Sequence, residues 1–590
     1  MNQKLLWGLL LGIVAFIILM AVYTYTRPSA PLKEESSDIL FSNLHTDQAR
    51  YDPKHQVTFS IKNHIKPDHV TITYYHLNDL IKKQHLTVDE PGEHIWSWKP
   101  PEDDYRGYLI EVTMKKDDRI QSETIAVDVS SDWRKFPRYG FLSRFDDSAA
   151  VNGQSVIDDL NRYHINGLQF YDWHYEHQEP LKMDNSSPAS HWEDVATRHI
   201  SFDAVQQYIE WAHETNMKAM SYNLLYGSFE NRDLPREWQL FKDPDQQQAD
   251  QHPLPDDWKS NVNVMNPTNP WWQEHLINQQ KQVYAHLPFD GWHIDQLGDR
   301  GEVYNEWGDR INVAESFQPF LQEIKEQMPD KEMVLNAVNQ YGQSSIAEAS
   351  PSFLYTEVWD EYKTYNDLKR ILDENAALSK TDQSSVLAAY MNYDRSDQPG
   401  NLNEAGILLT DAVIFASGGA HLELGEHMLS KEYFPHNNLQ MSAGLKKKMM
   451  AYYDFLTAYE NVLRDNISES SLSIDANQPI PLSVGEAKKD HIWVLPKEKG
   501  NRQMIHFINL LDAETIEWRD TNATQPVPEL RTNLTFTIEE DRRVKEIWMA
   551  SPDYHSGKPV AVPFEQSESQ TTFTLPSLTY WDMLVVEYEE

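Results

Sequence analysis

The sequence predicts a multidomain protein: a central (β/α)8 TIM barrel flanked by an N-terminal immunoglobulin-like β-sandwich and a C-terminal β-sandwich. Three observations carry this prediction. Between Tyr139 and Gly425, eight apolar strand-like runs alternate with amphipathic helical stretches. Short alternating runs separated by turn residues fill the stretch before the barrel and return after Asn466. The chain has 590 residues, more than a single core usually organises, so two to four domains are expected.

Residues 1–27 hold Lys4 and then Leu5–Tyr23, nineteen residues without a charge. That is close to the ~20 needed to span a bilayer. A signal peptide has a shorter apolar core and a small-x-small cleavage site, and none precedes Thr24–Pro28. A transmembrane signal anchor is expected, with a cleaved signal peptide as the alternative. Either exports the remainder, so the predicted location is extracellular, held at the cell surface or secreted. Lys4 would stay inside, an asymmetry that Arg27 weakens. Residues 28–37 read as a polar linker.

Residues 38–132 contain the runs Gln56–Ile61, Val70–Tyr75 and Tyr108–Val112, the pattern of a small β-sandwich. The barrel is expected over 133–465. Its strand-like runs are Tyr139–Phe145, Gly167–Trp173, Lys218–Gly227, Gly291–Gly298, Met333–Gly342, Phe353–Trp359, Ser385–Tyr393 and Ala412–Gly425. Val151–Tyr163, Phe202–Thr215, Trp271–Leu287 and Asn312–Met328 read as helices between them. The long segment Ser228–Pro270 suits a cleft wall. A Rossmann sheet is disfavoured because it usually has six strands and no GxGxxG turn occurs. Lys446–Arg464 reads as a closing helix, and 466–590 as the second sandwich.

The formal net charge of -39 repels phosphate backbones and argues against nucleic-acid binding. It leaves a neutral polysaccharide unhindered. With no cysteine, disulfides and thiolate metal sites are excluded. His174 with His177, and His421 with His427, come without HExxH or an EF-hand loop and read as loop histidines. No metal or cofactor is called for, and a monomer is expected.

Barrel chemistry sits where strands end at their C-terminal side. Asp290 begins its strand, so it belongs at the bottom or caps a turn. Asp295 lies at the other end, with His293 on the same face one layer deeper. Glu357 follows 62 positions later between Tyr355 and Trp359. Two carboxyls at strand ends in a tryptophan-rich chain are the equipment for breaking a glycosidic bond. Aromatic surroundings favour a protonated Glu357, a general acid, and the polar exit beside Gln296 favours an ionised Asp295, a nucleophile. Other strand ends offer stacking and hydrogen-bonding groups for sugar: Tyr171, Asp172, Trp173, Asn223, Tyr226, Gln296, Asn336, Trp359, Asn392, His421 and Glu423, with Asp146, Asp147, Asn339 and Tyr393. Asp172, between two aromatics, is the best placed to grip hydroxyls. About half of such residues serve only as loop caps.

Several segments agree in order with one known family. They are Gln169–His177, Tyr222–Gly227, Asn261–Pro270, Asp290–Gly298, Leu335–Val338, Ala389–Tyr393 and Ala416–Gly425. Together they resemble glycoside hydrolase family 66, which contains dextranases and cycloisomaltooligosaccharide glucanotransferases. The resemblance covers about 550 residues. It implies a retaining mechanism on α-1,6-linked glucan, with Asp295 as nucleophile and Glu357 as acid/base. The cyclising members carry a carbohydrate-binding module inserted late in the barrel, and Ser385–Gly425 leaves no room for one. The leading expectation is therefore an exported endo-dextranase. The alternatives are a glucanotransferase that makes cyclic products, and a surface glycan-binding protein with an idle barrel.

Overall fold

The computed structural model describes residues 39–589 except 231 and 381–383. Leu5–Tyr23 and the linker lie outside the described residues. Among the described residues, no helix is long and apolar enough to cross a membrane.

Eight parallel strands stand side by side in chain order. They are β1 (Tyr139–Leu142), β2 (Gly167–Phe170), β3 (Lys218–Leu224), β4 (Gly291–Asp295), β5 (Glu332–Val338), β6 (Tyr355–Glu357), β7 (Val386–Ala388) and β8 (Ala420–His421). The sheet nearly closes on itself: the Phe141 N–H in β1 donates to the Leu424 carbonyl, just past β8, at 3.1 Å. One main helix follows each strand: α1 (Gln154–Arg162), α2 (Phe202–Glu214), α3 (Pro270–His286), α4 (Val313–Gln327), α5 (Gln343–Glu348), α6 (Tyr365–Leu378), α7 (Glu404–Ala416) and α8 (Ala443–Ala458).

Local chemistry starts these helices where the sequence places caps. The Asn269 side chain accepts from the Trp271 and Trp272 N–H groups, with Pro270 in the first turn of α3. Thr364 and Asp367 form a reciprocal capping box on α6. Inside the barrel, Tyr139, Phe141, Met220, Val334, Phe353 and Tyr355 pack into one apolar cluster beneath the mouth. Asp290 sits at the opposite end, as expected. It accepts from Lys218 Nζ at 2.7 Å and from the Ala219 N–H at 2.9 Å.

One predicted element is corrected. Ala412–Ala416 does not begin the eighth strand; it ends helix α7, and β8 is only Ala420–His421. From Ala405 to Ala416 every residue of α7 is buried, because the helix packs between the barrel and the C-terminal sheets. A helix buried on all sides loses its 3.6-residue signature, so its apolar run reads like a strand.

Seven antiparallel strands between Phe41 and Val129 form a three-stranded and a four-stranded sheet with a shared apolar core that includes Phe59, Tyr74, Trp96 and Trp98. Beyond α8, antiparallel pairing dominates two further sheets around Val494, Phe507, Phe536 and Phe573. Arg138, fully buried just before β1 at the end of the barrel opposite the mouth, links the parts. Its guanidinium donates to Asp128 of the N-terminal sheet at 2.5 Å and to Glu460, after α8, at 3.2 Å.

Candidate active site

Strands β4, β5 and β6 are consecutive neighbours, and each delivers one side chain to the same point. Asp295 ends β4, Asn336 lies in β5 and Glu357 ends β6. The Asn336 Nδ2 group donates to Asp295 Oδ1 at 2.8 Å and to Glu357 Oε2 at 2.9 Å. Two oxygens held by one nitrogen cannot be farther apart than those distances laid end to end, about 5.7 Å. Strands two apart in a sheet are separated by roughly 9.6 Å. The barrel's curvature brings their inward side chains closer than that.

Each carboxyl has a tyrosine partner of its own. Tyr222 donates its O–H to Asp295 Oδ2 at 2.6 Å, and Tyr390 donates to Glu357 Oε1 at 2.6 Å. The Gln296 N–H also donates to Asp295 Oδ1 at 2.8 Å. Desolvation pushes the Glu357 carboxyl up to about 7, reinforced by the Asp295 charge and opposed by Tyr390 and Asn336. Desolvation raises Asp295 as well, but Tyr222, Asn336 and the Gln296 amide all favour its charged form. Asp295 therefore ionises first and leaves the proton on Glu357. Beneath them, burial lowers His293 to about 3, so its ring is neutral; Tyr139 Oη lies 3.3 Å from its Nδ1.

These groups line a cleft of about 710 Å³ that also takes in Tyr171, Asp172, Gln296 and Trp359. Tyr171 stacks on Phe434 with ring centroids 4.3 Å apart. Burial pushes the Asp172 carboxyl up to about 8, against the pull of Arg198 at 3.9 Å. The long segment after β3 forms a small sheet of its own and brings Trp258 to the mouth, where its ring lies 5.0 Å from Tyr433.

Comparisons with known proteins identify the family. The model of glycosyl hydrolase family 66 matches residues 46–585. The chain belongs to that family. A cycloisomaltooligosaccharide glucanotransferase of Niallia circulans is 25% identical over an alignment of 742 positions, covering 98% of this chain and 75% of the relative. A dextranase of Streptococcus salivarius is 23% identical, covering 82% of this chain and 67% of the relative. A crystal structure of a Paenibacillus sp. cycloisomaltooligosaccharide glucanotransferase, complexed with cycloisomaltoheptaose, superimposes with a TM-score of 0.87 at 26% identity. It covers 92% of this chain and 99% of that one. This family 66 protein is thus a glycosidase-type enzyme, and the expectation of an idle barrel is set aside.

Not every predicted sugar-binding residue of the family 66 chain reaches the cleft. Trp173 is fully buried against Trp192 and Phe289. Strand β2 ends at Phe170 and Asp172 takes a left-handed φ of 51°, so strand alternation no longer applies to Trp173. Asn223 lies between the inward Tyr222 and Leu224, so it faces outward and donates to the His177 carbonyl at 2.8 Å. Tyr226 is buried behind Gln296, to which its O–H donates at 3.2 Å. Asn392 turns toward the C-terminal part and donates to the Asp520 carbonyl at 2.8 Å. His421 and Glu423 flank the inward Leu422, so both point away from the barrel axis. His421 Nδ1 meets Asp411 at 2.9 Å, and Glu423 accepts from Tyr453 at 3.0 Å. His421 is thus a buried strand residue, not a loop histidine.

Asp146 and Asn339 serve as caps. Asp146 accepts from the Ser148 N–H, and Asn339 accepts from the Trp359 N–H at 2.8 Å. Tyr393 donates to Glu432 at 2.9 Å beside Trp359. Sequence reasoning missed Tyr222, Tyr390, Trp258, Tyr433 and Arg198. Alternation points to Tyr222 only once the structure shows Asn223 facing outward. Trp258, Tyr433 and Arg198 come from loops, where no period exists to read.

Proposed function

We propose that this enzyme hydrolyses internal α-1,6-glucosidic bonds of dextran with retention of configuration. The bridging of Asp295 and Glu357 by one Asn336 amide carries the reading. Asp295 Oδ1 and Glu357 Oε2 lie at most about 5.7 Å apart, which favours the ~5–5.5 Å of retaining glycosidases over the ~6.5–9.5 Å that an inverting enzyme needs to admit a water. Asp295 attacks the anomeric carbon as Glu357 protonates the departing glycosidic oxygen. The covalent ester formed at Asp295 is neutral. Its charge no longer holds the Glu357 proton, and Glu357 becomes a base that takes a proton from water.

Tyr171 and Trp359 provide ring faces for sugar, and Asp172 provides a carboxyl for hydroxyls. Gln296 Nε2 is buried with no hydrogen-bond partner among the described residues and is placed to donate to a sugar hydroxyl. The uncharged run Leu5–Tyr23 supports export. The sheet boundaries support division at about residues 132 and 466, with a sandwich on either side of the barrel. Release of a linear product is favoured because residues 389–419, of which α7 is the main element, connect β7 to β8. The 742-position alignment exceeds this chain's 590 residues, so the Niallia circulans relative carries residues that this chain lacks.

A second reading is transfer to an acceptor sugar, with cyclic products. It is favoured by the glucanotransferase relatives and by the Trp258–Tyr433 pair, which could hold an acceptor chain at the mouth. Incubation with dextran, pullulan and starch, followed by product sizing, separates the readings. Linear isomaltooligosaccharides with reducing ends support hydrolysis; non-reducing rings support transfer. Activity confined to starch or pullulan removes the α-1,6 dextran assignment.

A further inference from the structure

We propose that Asp147, His191 and His199 form a binding site for a divalent transition-metal ion of the zinc class, outside the catalytic cleft. The three side chains come from two neighbouring loops on the C-terminal side of the barrel. Asp147 lies between β1 and α1; His191 and His199 lie between β2 and α2. A short antiparallel ribbon pairs His191 with Ser201 and Glu193 with His199. This register sets the two histidines diagonally on one face, within reach of each other. Their rings stack at 4.8 Å between centroids with 23° between planes.

Both Nε2 atoms converge on the same carboxylate. His191 Nε2 lies 2.9 Å from Asp147 Oδ1, and His199 Nε2 lies 3.5 Å from Asp147 Oδ2. The three ligand atoms lie within 4.8 Å of one another. An ion with bonds of about 2.0–2.2 Å joins such atoms after small rotations of the side chains. All three groups are exposed, so those rotations are unhindered and solvent can fill the remaining positions. Ser190 Oγ lies 3.1 Å from His191 Nδ1 and can accept its N–H, which orients Nε2 as the ligand. Two imidazoles and one carboxylate select zinc, nickel or cobalt over calcium and magnesium, which prefer oxygen.

The site bears on the cleft through the ribbon that carries it. Arg198 precedes His199. Its guanidinium pairs with Asp194 at 2.6 Å, sits 3.9 Å from Asp172 and packs over the Tyr433 ring at 5.7 Å. An ion at His191 and His199 ties this ribbon to the β1–α1 loop and so steadies one wall of the cleft. No sequence spacing announces the cluster, because Asp147 lies 44 positions before His191.

Zinc titration of the purified chain by calorimetry tests the site, with His199→Ala and Asp147→Asn run beside it. The wild type is expected to bind one zinc ion that each variant binds at least about tenfold more weakly, since even loss of an outer partner weakens metal sites by roughly 10–100-fold. Zinc should raise the melting temperature of the wild type and not of the variants, while calcium raises neither. Equal zinc binding in all three proteins, no binding in the wild type, or calcium binding as tight as zinc overturns the proposal. If one variant fails to fold, the comparison stands on the other.

Discussion

Removing the Tyr390 hydroxyl isolates the proton on Glu357. The hydroxyl donates to Glu357 Oε1 at 2.6 Å and favours the charged carboxylate. Tyr390→Phe therefore raises the Glu357 pKa. A hydrogen bond to a charged group is worth about 1.5–3 kcal/mol, and 1.36 kcal/mol corresponds to one pKa unit. Glu357 is half-buried at the cleft, where solvent weakens the bond, so the lower end applies. The expected shift is about one unit, from about 7 to about 8. The assay is the pH dependence of kcat/KM for dextran, whose limbs report the free enzyme's essential acid and base. The alkaline limb should move up and widen the bell. Tyr222→Phe removes the corresponding bond to Asp295, so its acid limb should move up and narrow the bell. The titrations are coupled, so each limb belongs to the pair, but the two opposite changes in width remain distinguishable. An unmoved or lowered alkaline limb in a folded Tyr390→Phe protein refutes the assignment of Glu357 as the acid.

Further outcomes are expected from other substitutions. Asp295→Ala and Glu357→Gln should each lower turnover by several orders of magnitude with an unchanged melting curve; normal turnover in either removes the residue from its role. Azide should partly restore Asp295→Ala and yield a product of inverted configuration, read by NMR. Arg519, from the C-terminal part, packs its guanidinium 5.4 Å from the Trp359 ring and donates to the Val358 carbonyl. Arg519→Ala should raise KM by up to about tenfold with a smaller change in kcat, as expected for loss of a cation–π support. Arg138→Ala leaves Asp128 and Glu460 facing each other in the interior. Urea unfolding should show a loss of about 3–5 kcal/mol, the range for breaking a buried ion pair.

The amino-acid sequence by itself determined the barrel and the placing of two carboxyls, Asp295 and Glu357, at strand ends. Strand–helix alternation, cap residues such as Asn269 and Thr364, and the carboxyls at the ends of β4 and β6 are local features. Each follows from neighbours within one turn or one pleat. Asp295 and Glu357 were legible because a parallel barrel sends every strand's C-terminal end to one mouth. The tertiary structure alone decided which neighbouring polar residues join them. Alternation predicts that two residues share a face, but only where a strand really continues. It failed at Trp173, where Asp172 turns left-handed. Even within a strand it needs the correct parity, which is why Tyr222 faces the cleft and Asn223 does not. Residues such as Asn392, His421 and Glu423 were claimed by partners on other elements: the C-terminal part, helix α7 and helix α8 respectively. Those contacts, and the tryptophan and arginine that loops bring to the mouth, depend on distances through space, which neither period nor spacing encodes.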